Sequence, residues 1–288
     1  MGRTIMTMDP GIYEHVLEAE YRDWPALNKS SLDILHERSP LHYRYERDHP
    51  QAETEALTIG HAFHTLALEG EAAYSAGVVI GGPINTRTGR PYGRDTEAFR
   101  NWLSQFPPGR VVLTADDDSK IREMVKAIKE DETAGQFLDD DNGRNELSLL
   151  WKDDVTGLMC KGRLDMERVR NWGAIGDLKT TEDASPDGFS HSIDAWGYHR
   201  QAAWYLWGCR ELGIAARLFA FLCVEKKPPY AVATYQLGAS DIDLGEAQNR
   251  RLIDTIAECN KANSWPAYQT NFQTIGMPDW AFRKASKQ

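Results

Sequence analysis

The chain predicts an α/β domain with a mixed central sheet flanked by helices, and three observations carry that expectation. Apolar residues recur at helical spacing up to about residue 130, switch to alternation between Glu146 and Lys179, and return to helical spacing from Ser185 to Cys209. A second pair of strand candidates follows that helix, and one α/β domain with a mixed central sheet is the simplest assembly of these elements.

Each element has a local cause. Ser30 with Asp33 three residues on, and Ser39 followed by Pro40, are start signals for short helices in the first 70 residues, and Gly70 is a stop. Between Thr58 and Glu69, the residues Phe63, Leu66 and Ala67 share one helical face with His64 near its edge. Residues 81–94 concentrate Gly, Pro and Arg without periodicity, a surface loop whose Arg87, Arg90 and Arg94 suit solvent or a polyanion. Helices are expected near 95–106 and 116–130, the latter with Ile121, Met124, Val125 and Ile128 on one face; Asp139, Asp140 and Asp141 then read as a solvated turn or, less simply, a metal loop. Glu146–Lys152, Leu158–Asp165 and Gly173–Lys179 form the antiparallel meander. Ser185-Pro186 opens a helical region interrupted at Gly197, in which Tyr198, Gln201, Ala202, Tyr205, Leu206 and Cys209 recur on one face. Arg217–Val224 and Ala231–Leu237 pair around Pro228-Pro229, and an amphipathic helix covers Ser240–Lys261. With no repeat or linker, residues 1–288 read as one domain: a helical part over 1–70, a sheet-and-helix centre over 146–237 and an irregular aromatic tail over 262–288.

At 288 residues and 41% hydrophobic composition the chain can bury a core, which excludes disordered and fibrous classes. No apolar run approaches the roughly 20 residues of a membrane helix, and the start lacks a basic-then-apolar leader, so a soluble cytoplasmic chain without a membrane partner is expected. Cys160, Cys209, Cys223 and Cys259 stand too far apart for a CxxC metal site. The net charge of −10 argues at first sight against nucleic acid, yet the segment Asp116–Asp154 holds 13 acids against 6 bases, leaving room for a basic groove elsewhere.

Strand alternation places Lys161, Arg163 and Asp165 on one face of the second strand, and Asp177 and Lys179 on one face of the third. Two carboxylates and a lysine on one side suit a magnesium ion bound through carboxylates and substrate phosphate, with the lysine orienting water and steadying charge on phosphorus. As a bare D-x-K the same residues describe a cross-strand ion pair on a solvated face. On such a polar face, Asp177→Ala and Lys179→Ala are expected to cost little stability.

Asp165 followed after eleven residues by Asp177-Leu178-Lys179 resembles the signature of the PD-(D/E)xK nuclease superfamily. Gly162-Arg163-Leu164-Asp165, Asp177-Leu178-Lys179-Thr180-Thr181, the Gln201…Tyr205 pair and Gly60…His64 are similar to the motifs of its RecB-type branch. Pro10-Gly11-Ile12-Tyr13, Tyr21, Leu27-Asn28-Lys29-Ser30-Ser31-Leu32 and Tyr198-His199-Arg200-Gln201 resemble the RecE-type (exonuclease VIII-like) exonucleases, with weaker echoes at Trp265-Pro266 and Pro278-Asp279-Trp280.

The resemblance implies a PD-(D/E)xK nuclease fold and a magnesium-dependent enzyme, with manganese substituting, that degrades linear duplex DNA from 5′ ends and leaves 3′ single strands for a phage-type annealing protein. By it, Asp165, Asp177, the Leu178 backbone carbonyl and His64 are metal ligands and Lys179 is the catalytic lysine. Glu146 stands where the family places an acid, or is a strand glutamate facing water. Gln201 and Tyr205 order the lysine, contact DNA, or simply pack. Ser30 and Ser31 bind a terminal phosphate or cap a helix, and Arg87, Arg90, Arg94, Lys161, Arg163 and Thr180 are DNA-contact candidates. His61, His191 and His199 are read as non-ligands. The cysteines cannot reproduce the spacing with which some RecB-type relatives bind an iron–sulfur cluster, so none is expected. The resemblance further implies a homo-oligomeric ring of four, with interface candidates around Trp265, Tyr268, Phe272 and Trp280. A structure-specific or restriction-like endonuclease is the rival enzyme, and a non-catalytic DNA-binding module the rival of another class.

Overall fold

The computed structural model describes residues 8–49, 55–107, 109–268, 271–278 and 282. The first half runs β1 (Gly11–Tyr13), α1 (Glu18–Asp23), α2 (Lys29–Glu37), α3 (Pro40–Asp48) and α4 (Glu55–His64), which continues as a π-helical turn over Thr65–Glu69. Then come α5 (Glu71–Gly77), β2 (Val78–Ile80), α6 (Glu97–Leu103), β3 (Val111–Leu113), α7 (Ala115–Glu130) and α8 (Glu132–Leu138). The second half runs β4 (Arg144–Lys152), β5 (Met159–Arg168), α9 (Val169–Trp172), β6 (Ala174–Thr181), α10 (Pro186–Ala195), α11 (Tyr198–Glu211), β7 (Leu218–Glu225), β8 (Val232–Gln236) and α12 (Ala239–Ala262). Among the described residues no helix is long and apolar enough to cross a membrane.

The start signals act mostly as expected. Ser39 accepts from the His42 N–H with Pro40 behind it, and Thr114 and Asp117 form a reciprocal capping box on α7. α2 is the exception: Asn28, with extended backbone, accepts from Ser31 N and is the cap, which places Ser30 inside the first turn. β1, β2 and β3 are three residues each, too short for alternation to show in the sequence.

The large sheet has the order β1-β4-β5-β6-β7-β8 and is antiparallel except for β6 and β7, which run parallel because the α10–α11 crossover joins them. This is the mixed sheet the sequence predicts. One face buries Leu147, Leu149, Trp151, Phe219 and Phe221 against α2, α11 and α12, with Trp204 at the centre. The other buries Leu178, Leu222 and Val224 against Phe63 of α4, Ile121 and Ile128 of α7 and Phe137 of α8. Helices therefore cover both faces.

One irregularity creates the cleft. Cys160 and Leu164 of β5 pack in the first core, whereas Met166, which should share their face, packs in the second. The ribbon thus turns over at Asp165, and directly across from it Glu146 of β4 adopts φ +51°, a left-handed conformation costing about 1–3 kcal/mol for a residue with a side chain. The β5–β6 ladder also ends here, at Met166 opposite Gly176. Beyond that point β5 is paired by Leu27, whose N–H donates to Met159 O and whose carbonyl accepts from Lys161 N, and the Lys161 carbonyl takes the Trp204 indole N–H at 3.0 Å.

Gly162 is glycine for a packing reason. A Cβ built there would stand 3.0 Å from the Tyr205 ring and 3.6 Å from Trp151. Gly162→Val is expected to lower stability by about 1–3 kcal/mol through overpacking, measured by chemical denaturation, whereas Gly60→Ala, where nothing lies within 4 Å, carries no such overpacking cost.

Candidate active site and metal centre

The turnover at Asp165 gathers side chains from both layers into one cleft of about 770 Å³. His64 arrives from the end of α4, Glu146 from β4 and Asp165 from β5, with ligand atoms all within 4.8 Å of one another. His64 Nδ1 lies 3.3 Å from Asp165 Oδ2, which also accepts the Leu178 backbone N–H at 2.9 Å. Asp165 thereby replaces the strand partner that β6 has lost. Because N–H and C=O of one strand residue point to the same side, the Leu178 carbonyl is directed into the same gap.

Asp177 sits beside this group and is held differently. Gln201 Nε2 of α11 donates to Asp177 Oδ1 at 2.5 Å, and Lys179 Nζ forms an ion pair with Asp177 Oδ2 at 2.5 Å. The Lys179 ammonium also stands 4.6 Å from the centre of the Tyr198 ring. Tyr205, one turn after Gln201, lines the cleft beneath Gly162.

The electrostatics follow from crowding. Burial first and the Asp165 charge second push the Glu146 carboxyl up to about 8, against the opposing pull of Arg163. Asp165 is pushed up to about 6 by burial and then by Asp177, with His64, Lys179 and the Leu178 N–H opposing. Burial lowers the Lys179 ammonium, but Asp177, Tyr198 and Asp165 outweigh it and hold the group above its ordinary value. Lys179 is therefore a fixed cation and the carboxylates opposite are short of one. An imidazole and two carboxylates that resist joint ionisation form a donor set that fits a hard divalent cation such as magnesium or manganese, with the lysine-paired Asp177 carboxylate beside it.

The structure corrects two expectations. Asp177 and Lys179 do not lie on a solvated face: Asp177 is 2% exposed and its pair with Lys179 is buried. Nor is the cleft a basic groove. Seven acids against five bases line it, and Arg87, Arg90 and Arg94 are not in its described lining. Lys161 donates to the Tyr21, Arg22 and Trp24 carbonyls at 2.8–3.0 Å. Arg163 is committed to Ser148 Oγ, Glu18 and the Val16 carbonyl, with its guanidinium over the Tyr21 ring. Both cations brace residues 16–24 onto β5, so their donors are satisfied within the chain. No strand pattern reveals that cover, because it comes from about 140 residues away.

The remaining candidates divide. Ser30 lines the cleft, Ser31 is turned back to Asn28 Oδ1, and Thr180 is absent from the described lining. His199 bonds Gln248 between α11 and α12, away from the carboxylates. Trp265 packs on Tyr43 at 5.5 Å and Tyr268 on His42 at 5.8 Å, whereas Phe272 is fully exposed and Trp280 lies outside the described residues. Sequence reasoning gave Lys29, Asp33 and Arg200 no role of their own, although all three stand in the motifs and start signals quoted above; Lys29 and Asp33 line the cleft, and the three form a chain of ion pairs at 2.7 and 3.0 Å that the i,i+4 spacing of Lys29 and Asp33 hints at.

Compared with known proteins, the chain matches the PDDEXK-like domain of unknown function over residues 35–275. It is similar in structure to a candidate exonuclease from Eubacterium rectale, with a TM-score of 0.60 at 12% identity over 94% of this chain and 98% of that one, a likeness of fold. The solved structure of SSO0001 aligns with a TM-score of 0.34 at 16% identity, covering 82% of this chain and 79% of that one. No curated protein matches the chain.

Proposed function

The chain belongs to the family of PDDEXK-like domains, and on that premise we propose that it is a divalent-metal-dependent exonuclease acting on linear duplex DNA from 5′ ends, leaving 3′ single strands for an annealing protein. The observation that carries the reading is the meeting, in one cleft, of the His64–Glu146–Asp165 cluster with the Asp177–Lys179–Gln201 triad. The exonuclease description of the Eubacterium rectale protein supports the choice of an exonuclease over other nucleases.

In this reading Asp165, Glu146 and His64 would hold the cation, and the Leu178 carbonyl and the Asp177 carboxylate are the further oxygens available to it. The bound cation would neutralise the scissile phosphate and acidify the attacking water. Lys179 keeps its proton and presents N–H to the phosphoryl oxygen on which charge develops. Gln201 locks the Asp177 rotamer, and Asp177 with the Tyr198 ring locks the lysine. The acidic excess of the cleft makes cation binding a condition for admitting a polyanion.

A lone subunit releases DNA after each cut, whereas a closed ring retains it, so the proposed working form is a closed homo-oligomeric ring, with four subunits as the RecE-type resemblance implies. The exposed Phe272, Ile275 and Met277 support an interface in the C-terminal segment. The test uses 5′-end-labelled linear duplex and covalently closed circles, with magnesium and with excess EDTA, alongside light scattering. Loss of the linear DNA from its 5′ ends in magnesium alone, survival of circles and a tetrameric mass are expected. Rapid cutting of circles by a monomer would make the protein an endonuclease, and DNA binding without cleavage would make it a non-catalytic module.

A further inference from the structure

Trp196 closes α10 and is 65% exposed, yet it forms part of the wall of the cleft that holds Asp177 and Lys179. Single exposed aromatics are ordinary on a protein surface. This one differs in that its main chain is anchored on both sides at a corner of the cleft wall. Its N–H donates to Ser192 O at 3.0 Å and its carbonyl accepts from Lys29 Nζ at 2.7 Å. Lys29 is itself paired with Asp33, and Asp33 with the buried Arg200.

Gly197 follows in a left-handed conformation, φ +61°, where any Cβ would collide with the Arg200 guanidinium. The corner is therefore fixed by both conformation and packing. The next residue, Tyr198, carries the Lys179 ammonium over its ring at 4.6 Å. Trp196 thus projects its indole from a fixed backbone corner, two residues before the tyrosine ring over which the Lys179 ammonium stands. Among the described residues no ring packs against it.

We propose that Trp196 is a base-stacking platform that takes one unpaired nucleobase of the strand held in the cleft, so that the enzyme engages termini carrying at least one frayed or overhanging nucleotide. This rests on the nuclease reading and adds to it the state of the DNA end. Inside a duplex both faces of every base are covered, and at a terminus only the outer face of the last pair is open, so an aromatic side chain on the wall beside the backbone path, and not across the helix end, stacks on a base that has left its pair. The strand is positioned by the stack, and Lys179 meets the phosphate next to it.

The experiment compares wild type, Trp196→Ala and Trp196→Phe on blunt duplex and on duplex with a short overhang, in calcium, where binding is read without turnover. Trp196→Ala is expected to bind the overhang DNA about ten- to a hundredfold more weakly, the size of one lost base stack, with Trp196→Phe restoring most of it and blunt DNA much less affected. In magnesium the same loss appears in KM for the overhang substrate. A 5-iodouracil placed in the overhang is expected to photo-cross-link to Trp196, mapped by mass spectrometry. Equal binding of the overhang DNA by wild type and Trp196→Ala, or a cross-link that maps elsewhere, overturns the stacking role. Failure of the nuclease reading shows separately, as absence of cleavage by wild type, because calcium-supported binding and cross-linking need no turnover.

Discussion

Lys179→Met is expected to lower the cleavage rate by roughly 100- to 1,000-fold while DNA binding in calcium persists, because in the proposed reading Lys179 is the cation that meets the developing phosphoryl charge. Methionine keeps the length and packing of the lysine stem, although Asp177 then loses its cation, so a stability cost is expected with it as well. Alanine at either member of the pair is a poorer test. Asp177 is almost fully buried, and deleting it leaves Lys179 without its closest anion; breaking a buried pair by removing one partner costs about 3–5 kcal/mol. Asp177→Asn preserves volume and still offers an oxygen to Gln201, so it avoids the cavity of alanine, but it breaks the same charge pair, and some loss of stability is expected beside a loss of turnover like that of Lys179→Met. Denaturation curves and end-labelled cleavage measured on the same preparations separate the two effects. Cleavage by folded Lys179→Met at the wild-type rate would remove Lys179 from the chemistry.

The sequence exposes those residues because each lies on a regular element. Asp177 and Lys179 share a face of β6 by alternation, and Gln201 and Tyr205 share a face of α11 by the i,i+4 rule. What alternation cannot show is a strand that reverses its faces. The turnover between Leu164 and Met166, with Glu146 at positive φ opposite, assigns Asp165 to His64 and Glu146 and leaves Asp177 to Lys179 and Gln201, a grouping no spacing rule contains. Lys161 and Arg163 illustrate the other limit. Their positions on β5 are legible, but the loop that absorbs their charges arrives through non-local packing, and a polar strand face reads alike whether it meets solvent, DNA or its own chain.

Glu146→Gln is expected to stabilise the cation-free protein at alkaline pH while abolishing magnesium-dependent cleavage. The folded chain raises this carboxyl from 4.5 to about 8, burial being the larger cause and the Asp165 charge the next. A folded-state value above the unfolded one means that the folded chain binds the proton more tightly, so the contribution to stability is fully present below about 4.5 and is lost as pH rises through 8. Asp165, pushed up to about 6, acts in the same direction over a lower window. Glutamine has the size of the protonated acid and no charge to lose. The variant should therefore melt close to wild type at pH 5 and several degrees above it at pH 9, both in EDTA, since the removed ionisation is worth a few kcal/mol for a side chain 28% exposed. Magnesium or calcium reverses the order. The cation binds the ionised carboxylates, so its stabilisation of wild type grows with pH, while Glu146→Gln, one charged ligand short, gains much less. Parallel melting curves for the two proteins from pH 5 to 9, with and without cation, would show that Glu146 is a solvated strand residue and not part of the metal centre.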